Sequence, residues 1–180
     1  MKHINRRKFL KLGMLAAALP LQASASAWLA APERRLSFHN LHTGENVSLP
    51  YWVQGEYVPE SLAEINHVLR DFRNNQVASI DVRLLDLLDR VKAELGTAKP
   101  FQVISGYRSP ATNHLLAERS SGVAKHSLHM EGKAIDIRLP GIQLADVRRT
   151  GLKLQSGGVG YYPASDFVHL DVGRVRTWAG

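Results

Sequence analysis

The sequence predicts an α+β fold with one hydrophobic core. Residues 36–40 alternate apolar and polar side chains, as a half-buried strand does, whereas residues 59–72 and 81–95 carry apolar side chains at helical spacing. A chain of 180 residues, of which 44% are hydrophobic and 22% charged, is long enough for one globular domain. We find no repeat or low-complexity tract that would favour another architecture.

The first 27 residues have the composition of a secretory signal. Arg6 and Arg7 lie in a basic segment, residues 12–21 form an apolar run, and residues 23–27 offer small-residue cleavage sites. The paired arginines favour the twin-arginine export machinery as a partner. We therefore expect the protein in the periplasm or cell envelope after export.

The apolar run is too short to span a bilayer comfortably and is interrupted by Pro20, so we expect no stable membrane span in the mature protein. The predicted domain organisation is a signal peptide at 1–27, a linker at 28–35 and a globular domain at 36–180.

Export changes how the charge is interpreted. The formal net charge is +7, but five lysines and arginines lie in the predicted signal, and without them the net charge is +2. Nucleic acid is therefore not an expected partner. The chain has no cysteine, so any metal site must be built from His, Asp and Glu.

The predicted domain begins with a β-hairpin. Residues 36–40 form its first strand, residues 42–45 its turn and residues 46–49 its returning strand. His39 and His42 could be imagined as ligands, but a turn flanked by polar strand positions explains them more simply.

Two helices follow the hairpin. Pro59 begins the first at a position where a missing N–H costs nothing. Asp81 is a good N-cap for the second, which ends at Gly96. Their apolar faces consist of Leu62, Ile65, Leu69 and Phe72 in the first helix and Leu84, Leu88, Val91 and Leu95 in the second.

A short apolar strand at 101–105 precedes a third helix, which Ser109 caps and Pro110 begins and which runs to about residue 119. Arg108 lies between the strand and the helix, a usual position for a residue that contacts a ligand. A surface salt bridge explains Arg108 equally well at this point.

The second half of the chain adds further elements. They are a loop at 120–125, a strand at 133–139, a helix at 144–155, a glycine-rich segment at 157–163, a strand at 167–172 and a short coil after 173. The glycine-rich segment lacks the Lys-Ser/Thr ending of a phosphate loop. We expect its glycines to let the backbone pass close to a substrate or to another strand.

The candidate metal ligands are His129, Asp136 and His169. Asp136 lies in mid-strand beside Ala134, where burying a carboxylate is costly without a partner such as a cation. A turn at Gly132 lets His129 lean over that strand, and His169 arrives from the last strand. Two imidazoles and a carboxylate suit Zn²⁺ and leave one position open. Spacing alone also allows each to be an ordinary core or surface residue, and the helical His-Glu-x-x-His pattern is absent.

Residues 127–136 match the Ser-x-His-x-x-Gly-x-Ala-x-Asp pattern of the D-alanyl-D-alanine metallopeptidases, whose superfamily includes lysostaphin and the hedgehog signalling domain. Residues 105–109 resemble the Gly-Tyr-Arg-Ser segment of the same proteins. Residues 40–45, 157–163 and 167–169 are similar to segments of the murein endopeptidases in that superfamily. The resemblance implies a hedgehog- or DD-peptidase-like fold, a small antiparallel sheet with packed helices.

The resemblance also implies a ligand set and two substrate contacts. One Zn²⁺ per chain would be held by His129, Asp136 and His169. Arg108 would grip the developing oxyanion of the scissile carbonyl or a carboxylate of the substrate, and Ser127 would contact the substrate.

The general base is less clear from the sequence. Several relatives place it three residues before the last histidine ligand, which is Asp166 here, although strand alternation would turn Asp166 away from His169 unless it belongs to the loop. Asp171 shares the face of His169 and is the alternative, either as base or as the acceptor that orients the imidazole. Other relatives use a histidine where this chain has Phe167, and we interpret His126 as a loop residue.

The function implied by the resemblance is that of an exported zinc peptidase that hydrolyses the peptide cross-links of bacterial peptidoglycan, with the peptide stems as its partner. A D-alanyl-D-alanine carboxypeptidase of the same fold is the nearest alternative. A zinc-bearing module that binds murein or a protein partner without cutting is the alternative from another class. A competent base at Asp166 or Asp171 would separate the enzymes from the binding module.

Overall fold

The computed structural model describes residues 32–119 and 124–180. The predicted signal, half of the predicted linker and most of the loop predicted at 120–125 lie outside these residues. Every helix in the described ranges is too short or too polar to span a lipid bilayer. The strands are β1 (Glu33–Asn40), β2 (Asn46–Val53), β3 (Glu56–Tyr57), β4 (Phe101–Ser105), β5 (Ala134–Arg138), β6 (Gly158–Tyr162), β7 (Phe167–Asp171) and β8 (Arg176–Ala179). The α-helices are α1 (Pro59–Val68), α2 (Val82–Glu94), α3 (Pro110–Arg119) and α4 (Leu144–Leu154).

The strands form one sheet in the order β3-β2-β1-β4-β5-β7-β6-β8, which confirms the α+β class. The sheet is larger than the small antiparallel sheet expected, and two of its pairs, β1–β4 and β6–β8, are parallel. The connection from β1 to β4 contains α1 and α2, the kind of long crossover that a parallel pair requires.

The sheet begins earlier than predicted, because the last three residues of the predicted linker belong to β1. Arg34 is buried there: its guanidinium lies 4.2 Å from the centre of the Trp52 ring and 3.2 Å from a carboxylate oxygen of Asp86. Contacts with residues distant in the sequence, which the local alternation of side chains does not reveal, set the start of this strand.

The helices at 59–68 and 82–94 confirm the predicted pair. Asp81 caps α2 by accepting a hydrogen bond from the Arg83 N–H at 2.9 Å, and Gly96 follows the helix with φ of +60°. Phe72 lies beyond the end of α1, contrary to its predicted place on the helix face, and stacks on His42 at 3.8 Å. His42 also contacts the carbonyl of Ile104 at 3.0 Å, a structural role for this histidine.

The core lies between the helices and one face of the sheet. α2 packs against β1 and α4, and α4 packs against β6 and β7. On β5 and β7 the buried apolar positions alternate with the polar positions of the candidate site, as predicted. The apolar side chains concerned are Ile135, Ile137, Val168 and Leu170.

The segment after Gly173 forms strand β8, although we predicted a coil. β8 pairs in parallel with β6, so that Trp178 lies opposite Gly160. A Cβ atom on Gly160 would lie 2.7 Å from the indole, so the missing side chain lets Trp178 lie across the strand. β8 has only four residues and pairs in parallel with a strand earlier in the chain. Such a strand has no local sequence pattern that would predict it.

Candidate metal centre

Two neighbouring strands and one turn build the candidate site. Asp136 on β5 pairs directly with His169 on β7, so both side chains project from the same face of the sheet. His129 lies in the short 3₁₀ turn before β5. The Ser127 hydroxyl caps that turn by accepting a hydrogen bond from the His129 N–H at 3.3 Å, and Gly132 ends it with φ of +64°.

The structure brings the three predicted ligands together. An Asp136 carboxylate oxygen lies 2.8 Å from His169 Nδ1 and 3.3 Å from His129 Nε2, and the two nitrogens are 3.2 Å apart. All three residues are buried. One potential metal-ligating atom from each residue lies within 4.8 Å of the others, a spacing that a single ion can bridge.

The outer ring nitrogens fix which atoms face the centre. His129 Nδ1 lies 2.7 Å from the Gly106 carbonyl oxygen, which can only accept, so this nitrogen carries the proton and donates. His169 Nε2 donates in the same way to Asp171 at 3.1 Å. Each neutral imidazole therefore presents an unprotonated nitrogen to the Asp136 carboxylate. Three acceptors without a shared proton fit a bound cation.

The electrostatics of the centre also favour positive charge. If no cation is bound, burial alone would raise the pKa of Asp136, but a proton on His129 and hydrogen bonds from protonated His129 and His169 would outweigh it and hold that pKa well below its usual range. In that state burial opposes charge on His169, yet hydrogen bonds to Asp136 and Asp171 raise its pKa above the ordinary value. A divalent cation held by Asp136 and the two neutral rings would supply the positive charge without requiring an imidazolium.

Asp171 is fully buried and its acceptor capacity is filled. It accepts hydrogen bonds from His169, from the N–H groups of Gly158 at 2.9 Å and Gly173 at 2.8 Å, and from both terminal nitrogens of Arg176 at 2.7 and 3.1 Å. Burial would raise the pKa of Asp171, but the hydrogen bonds of His169 and Arg176 outweigh it and lower that pKa. This geometry favours the orienting role of Asp171 over the role of a base.

Asp166 belongs to the loop before β7 and not to the strand. Strand alternation therefore does not determine the direction of its side chain. Its backbone is left-handed, with φ of +53°, and its side chain is 63% exposed. The carboxylate pairs with Arg138 at 2.6 Å, and Arg138 projects from the same face of β5 as Asp136. The neighbours of Asp166 on either side, Ser165 and Phe167, line the cleft above the three ligands.

Arg108 is a partly buried cation at the cleft, not a surface salt bridge. Its side chain is 12% exposed, and its closest anionic neighbour, Asp136, is 3.8 Å away. Its contacts to Asn113 and Ser105 are long, at 3.4 Å each, and its Nε has no hydrogen-bond partner among the described residues. Burial lowers the pKa of the guanidinium. Arg108 thus keeps donor capacity for a ligand in the cleft.

The cleft has a volume of about 470 Å³. Its walls include Ser127 and His126, both from the segment before β5, and three residues that sequence reasoning missed: Tyr162, Arg176 and Trp178. The tyrosines beside the glycine-rich segment were the one local signal of this wall. Trp178 and Arg176 belong to β8, whose formation the sequence did not predict.

A mixed α+β domain with a buried His-Asp-His cluster has the architecture of an M15 peptidase, and the chain matches an M15 family model, described as peptidoglycan L,D-endopeptidase MepK, over residues 29–178. The chain belongs to this family. It is 48% identical to the peptidoglycan L,D-endopeptidase MepK of Escherichia coli (strain K12), and the match covers 97% of each chain. It is 41% identical to the probable peptidoglycan L,D-endopeptidase MepK of Haemophilus influenzae, over 98% of this chain and 96% of that one.

Proposed function

We propose that this protein is a zinc-dependent endopeptidase that hydrolyses peptide cross-links of bacterial peptidoglycan. The observation that carries the proposal is the set of three buried acceptor atoms, from His129, Asp136 and His169, which face one another at the base of an open cleft. The names of its relatives supply the substrate class. Two nitrogens and one carboxylate oxygen form a set that Zn²⁺ prefers, with a position left open for chemistry.

When bound, Zn²⁺ supplies a Lewis acid that activates water and polarises a peptide carbonyl. The residues of the chain supply the remaining groups. Arg108 directs a poorly satisfied positive charge into the cleft and stabilises the carbonyl oxygen as it becomes negative. Ser127, at the start of the turn that carries His129, contacts the substrate from the cleft wall.

Asp166 is the candidate base that takes a proton from the attacking water and delivers it to the leaving amine. Its place in the loop frees it from the orientation of β7, its exposed carboxylate pairs with Arg138, and its neighbours in the chain, Ser165 and Phe167, line the cleft. Asp171 supports His169 and has no free acceptor site for a water proton in the described structure.

The bond we favour joins two diaminopimelate residues. The relatives are named L,D-endopeptidases, so the bond they cut has an L centre on its carbonyl side. A D-alanyl–diaminopimelate cross-link has a D centre on that side. The same argument disfavours a carboxypeptidase that releases terminal D-alanine.

The test is digestion of cross-linked muropeptides by the protein purified without its predicted signal, with and without a chelator, followed by mass analysis. We expect dimers joined through diaminopimelate to give monomers, and the chelator to stop this. Release of D-alanine alone would identify a carboxypeptidase, and unchanged muropeptides would favour the zinc-bearing binding module.

We also propose that residues 1–27 direct export to the periplasm by the twin-arginine route, on the basis of Arg6 and Arg7, the apolar run and the small residues that follow. Cell fractionation should find wild-type protein in the periplasm. A double variant, Arg6→Lys with Arg7→Lys, should accumulate in the cytoplasm, and equal export of the variant would contradict this route.

A further inference from the structure

The hydroxyl of Tyr162 is held by Trp178 in a defined orientation. The indole Nε1 of Trp178 lies 2.7 Å from the Tyr162 oxygen. Because an indole N–H can only donate, the tyrosine oxygen must be the acceptor, and its own hydrogen points elsewhere. None of the described residues accepts a hydrogen bond from this O–H. Tyr162 therefore presents a free donor whose oxygen is already fixed in place.

Both aromatic rings are fixed by further contacts. The Tyr162 ring stacks on Phe167 with centroids 4.5 Å apart. The Trp178 ring lies 5.1 Å from the ring of His169 and carries the Arg176 guanidinium 4.8 Å above its centre. Residues on three strands of the sheet therefore hold the Tyr162 hydroxyl in place. Because the side chain is already ordered, it loses little further conformational entropy when it binds a ligand.

The hydroxyl belongs to the cleft of the metal centre. Tyr162 and Trp178 line the same cleft as Arg108 and the three candidate ligands. A carbonyl oxygen bound between Arg108 and Tyr162 would meet a cation and a neutral donor.

The backbone of β6 is adapted to this pair. Gly160 lies opposite Trp178 across the parallel β6–β8 pair, and any side chain there would displace the indole. The next residue on that face of β6 is Tyr162. The glycine and the tyrosine thus act together: one admits Trp178, and the other accepts its hydrogen bond.

We propose that Tyr162 is a catalytic hydrogen-bond donor, whose O–H stabilises the carbonyl oxygen of the scissile peptide as it becomes negative, and that Trp178 is the positioning residue that directs it. This inference rests on the proposed function. A donor aimed at an oxygen that gains charge only in the transition state raises kcat without tightening substrate binding.

The first test is the variant Tyr162→Phe, assayed on a cross-linked muropeptide with bound zinc measured in parallel. We expect kcat to fall about 100-fold, the typical loss for one oxyanion donor, with unchanged KM and zinc content. The matched control is Tyr161→Phe, because Tyr161 points to the other face of β6 and contacts Arg148. A rise in KM with unchanged kcat would overturn the catalytic role.

The second test separates the N–H of Trp178 from its packing. Trp178→Phe keeps an aromatic ring beside His169 and Arg176 but loses the donor. We expect it to lower kcat about 10-fold in the wild-type background and to have no further effect in Tyr162→Phe, since coupled residues are not additive. An equal loss in both backgrounds would show that Trp178 acts through packing alone and would overturn its positioning role.

A third measurement does not depend on turnover. A peptide phosphinate that mimics the tetrahedral geometry should bind Tyr162→Phe more weakly than wild type by about the factor lost in kcat, whereas Tyr161→Phe should bind it normally. Equal binding to Tyr162→Phe would overturn the inference. If wild-type protein neither binds zinc nor cleaves muropeptides, the proposed function fails instead, so the two failures are distinguishable.

Discussion

The proton positions at His129 and His169 follow from their neighbours. A backbone carbonyl takes the outer N–H of one ring, and the Asp171 carboxylate takes that of the other. Each ring is thereby fixed in orientation and tautomer before any ion arrives. Asp171 is itself fixed by Arg176 and two backbone N–H groups. The hydrogen bonds that orient the candidate ligand His169 therefore include Asp171 and, behind it, Arg176.

We predict that Asp171→Asn weakens zinc binding about 10- to 100-fold, the usual cost of losing the carboxylate behind a histidine ligand. The amide brings two N–H donors towards groups that are themselves donors, including Arg176. Competition with a chelating dye measures the affinity. Asp146→Asn is the control, because Asp146 is an exposed carboxylate paired with Arg149 on α4 and should leave the affinity unchanged.

The roles of Asp166 and His169 predict opposite results for zinc content. Asp166→Ala should retain zinc and lose about 10²- to 10⁴-fold in kcat, because it removes the base but no ligand. His169→Ala should lose both zinc and activity. Elemental analysis and the muropeptide assay measure the two quantities on the same samples. A fully active Asp166→Ala variant would place the base elsewhere.

At the scale of elements, the sequence predicted the helix boundaries and strand faces that depend on neighbouring residues in the chain. Asp81 and Gly96 bounded α2, and the alternation on β5 and β7 gave the correct faces for Asp136 and His169. Partners distant in the sequence determine what was missed. β8 exists because β6 pairs with it, and β1 starts at Glu33 because Arg34 finds Trp52 and Asp86. Alternation therefore placed two of the candidate ligands, and the resemblance supplied the full set, whereas the cleft wall of Tyr162, Arg176 and Trp178 was not predicted.

The turn that carries His129 depends on Gly132. Its φ is +64°, and a Cβ atom there would collide with the carbonyl oxygen of Ser79, a backbone atom that cannot move aside. Its own carbonyl accepts a hydrogen bond from Asp81 at 2.9 Å. This glycine thus joins the ligand turn to the start of α2.

We predict that Gly132→Ala destabilises the protein more than Gly96→Ala does. Both glycines have similar positive φ, so each variant should lose about 1–2 kcal/mol of unfolding free energy through backbone strain. Only Gly132 also lacks space, which should add about 1–3 kcal/mol. Urea denaturation measures the difference, and zinc titration should show weaker binding for Gly132→Ala alone. Equal destabilisation would contradict the close packing seen at this turn.

At the scale of the whole molecule, a second polar cluster lies at the β3–β2 edge of the sheet, away from β5 and β7. It consists of Tyr51, Tyr57 and Asp86. Tyr51 is fully buried, and its hydroxyl donates to Asp86 at 2.9 Å, as does the hydroxyl of Tyr57 at 2.8 Å. Burial, with the charge of Asp86, raises the pKa of Tyr51 well above its ordinary value. Burial and the hydrogen bond to Asp86 raise the pKa of Tyr57 to about 12.

These tyrosines predict a loss of stability in alkali. Below pH 10 they are protonated in both folded and unfolded chains and contribute no pH dependence. Above the unfolded pKa of 10.0 the unfolded chain releases protons that folded Tyr51 keeps, so the unfolding free energy should fall by about 1.4 kcal/mol per pH unit. The contribution of Tyr57 ends near pH 12, where the folded chain also ionises.

Denaturant unfolding between pH 9 and pH 12 tests this prediction. Tyr51→Phe should lose its share of the slope, whereas Tyr161→Phe, which leaves the Asp86 cluster intact, should keep it. An unchanged slope in Tyr51→Phe would show that other groups cause the alkaline loss.

The direct pairing of Asp136 with His169 has a consequence for how the chain reaches its native state. A slip of one residue between β5 and β7 would bring Val168 or Leu170 opposite Asp136 and turn the imidazole towards the apolar side. Only the correctly aligned ladder offers the ion its full set of donors. Metal binding would therefore stabilise the correct alignment of the two strands, and a misaligned chain would not assemble the candidate metal centre.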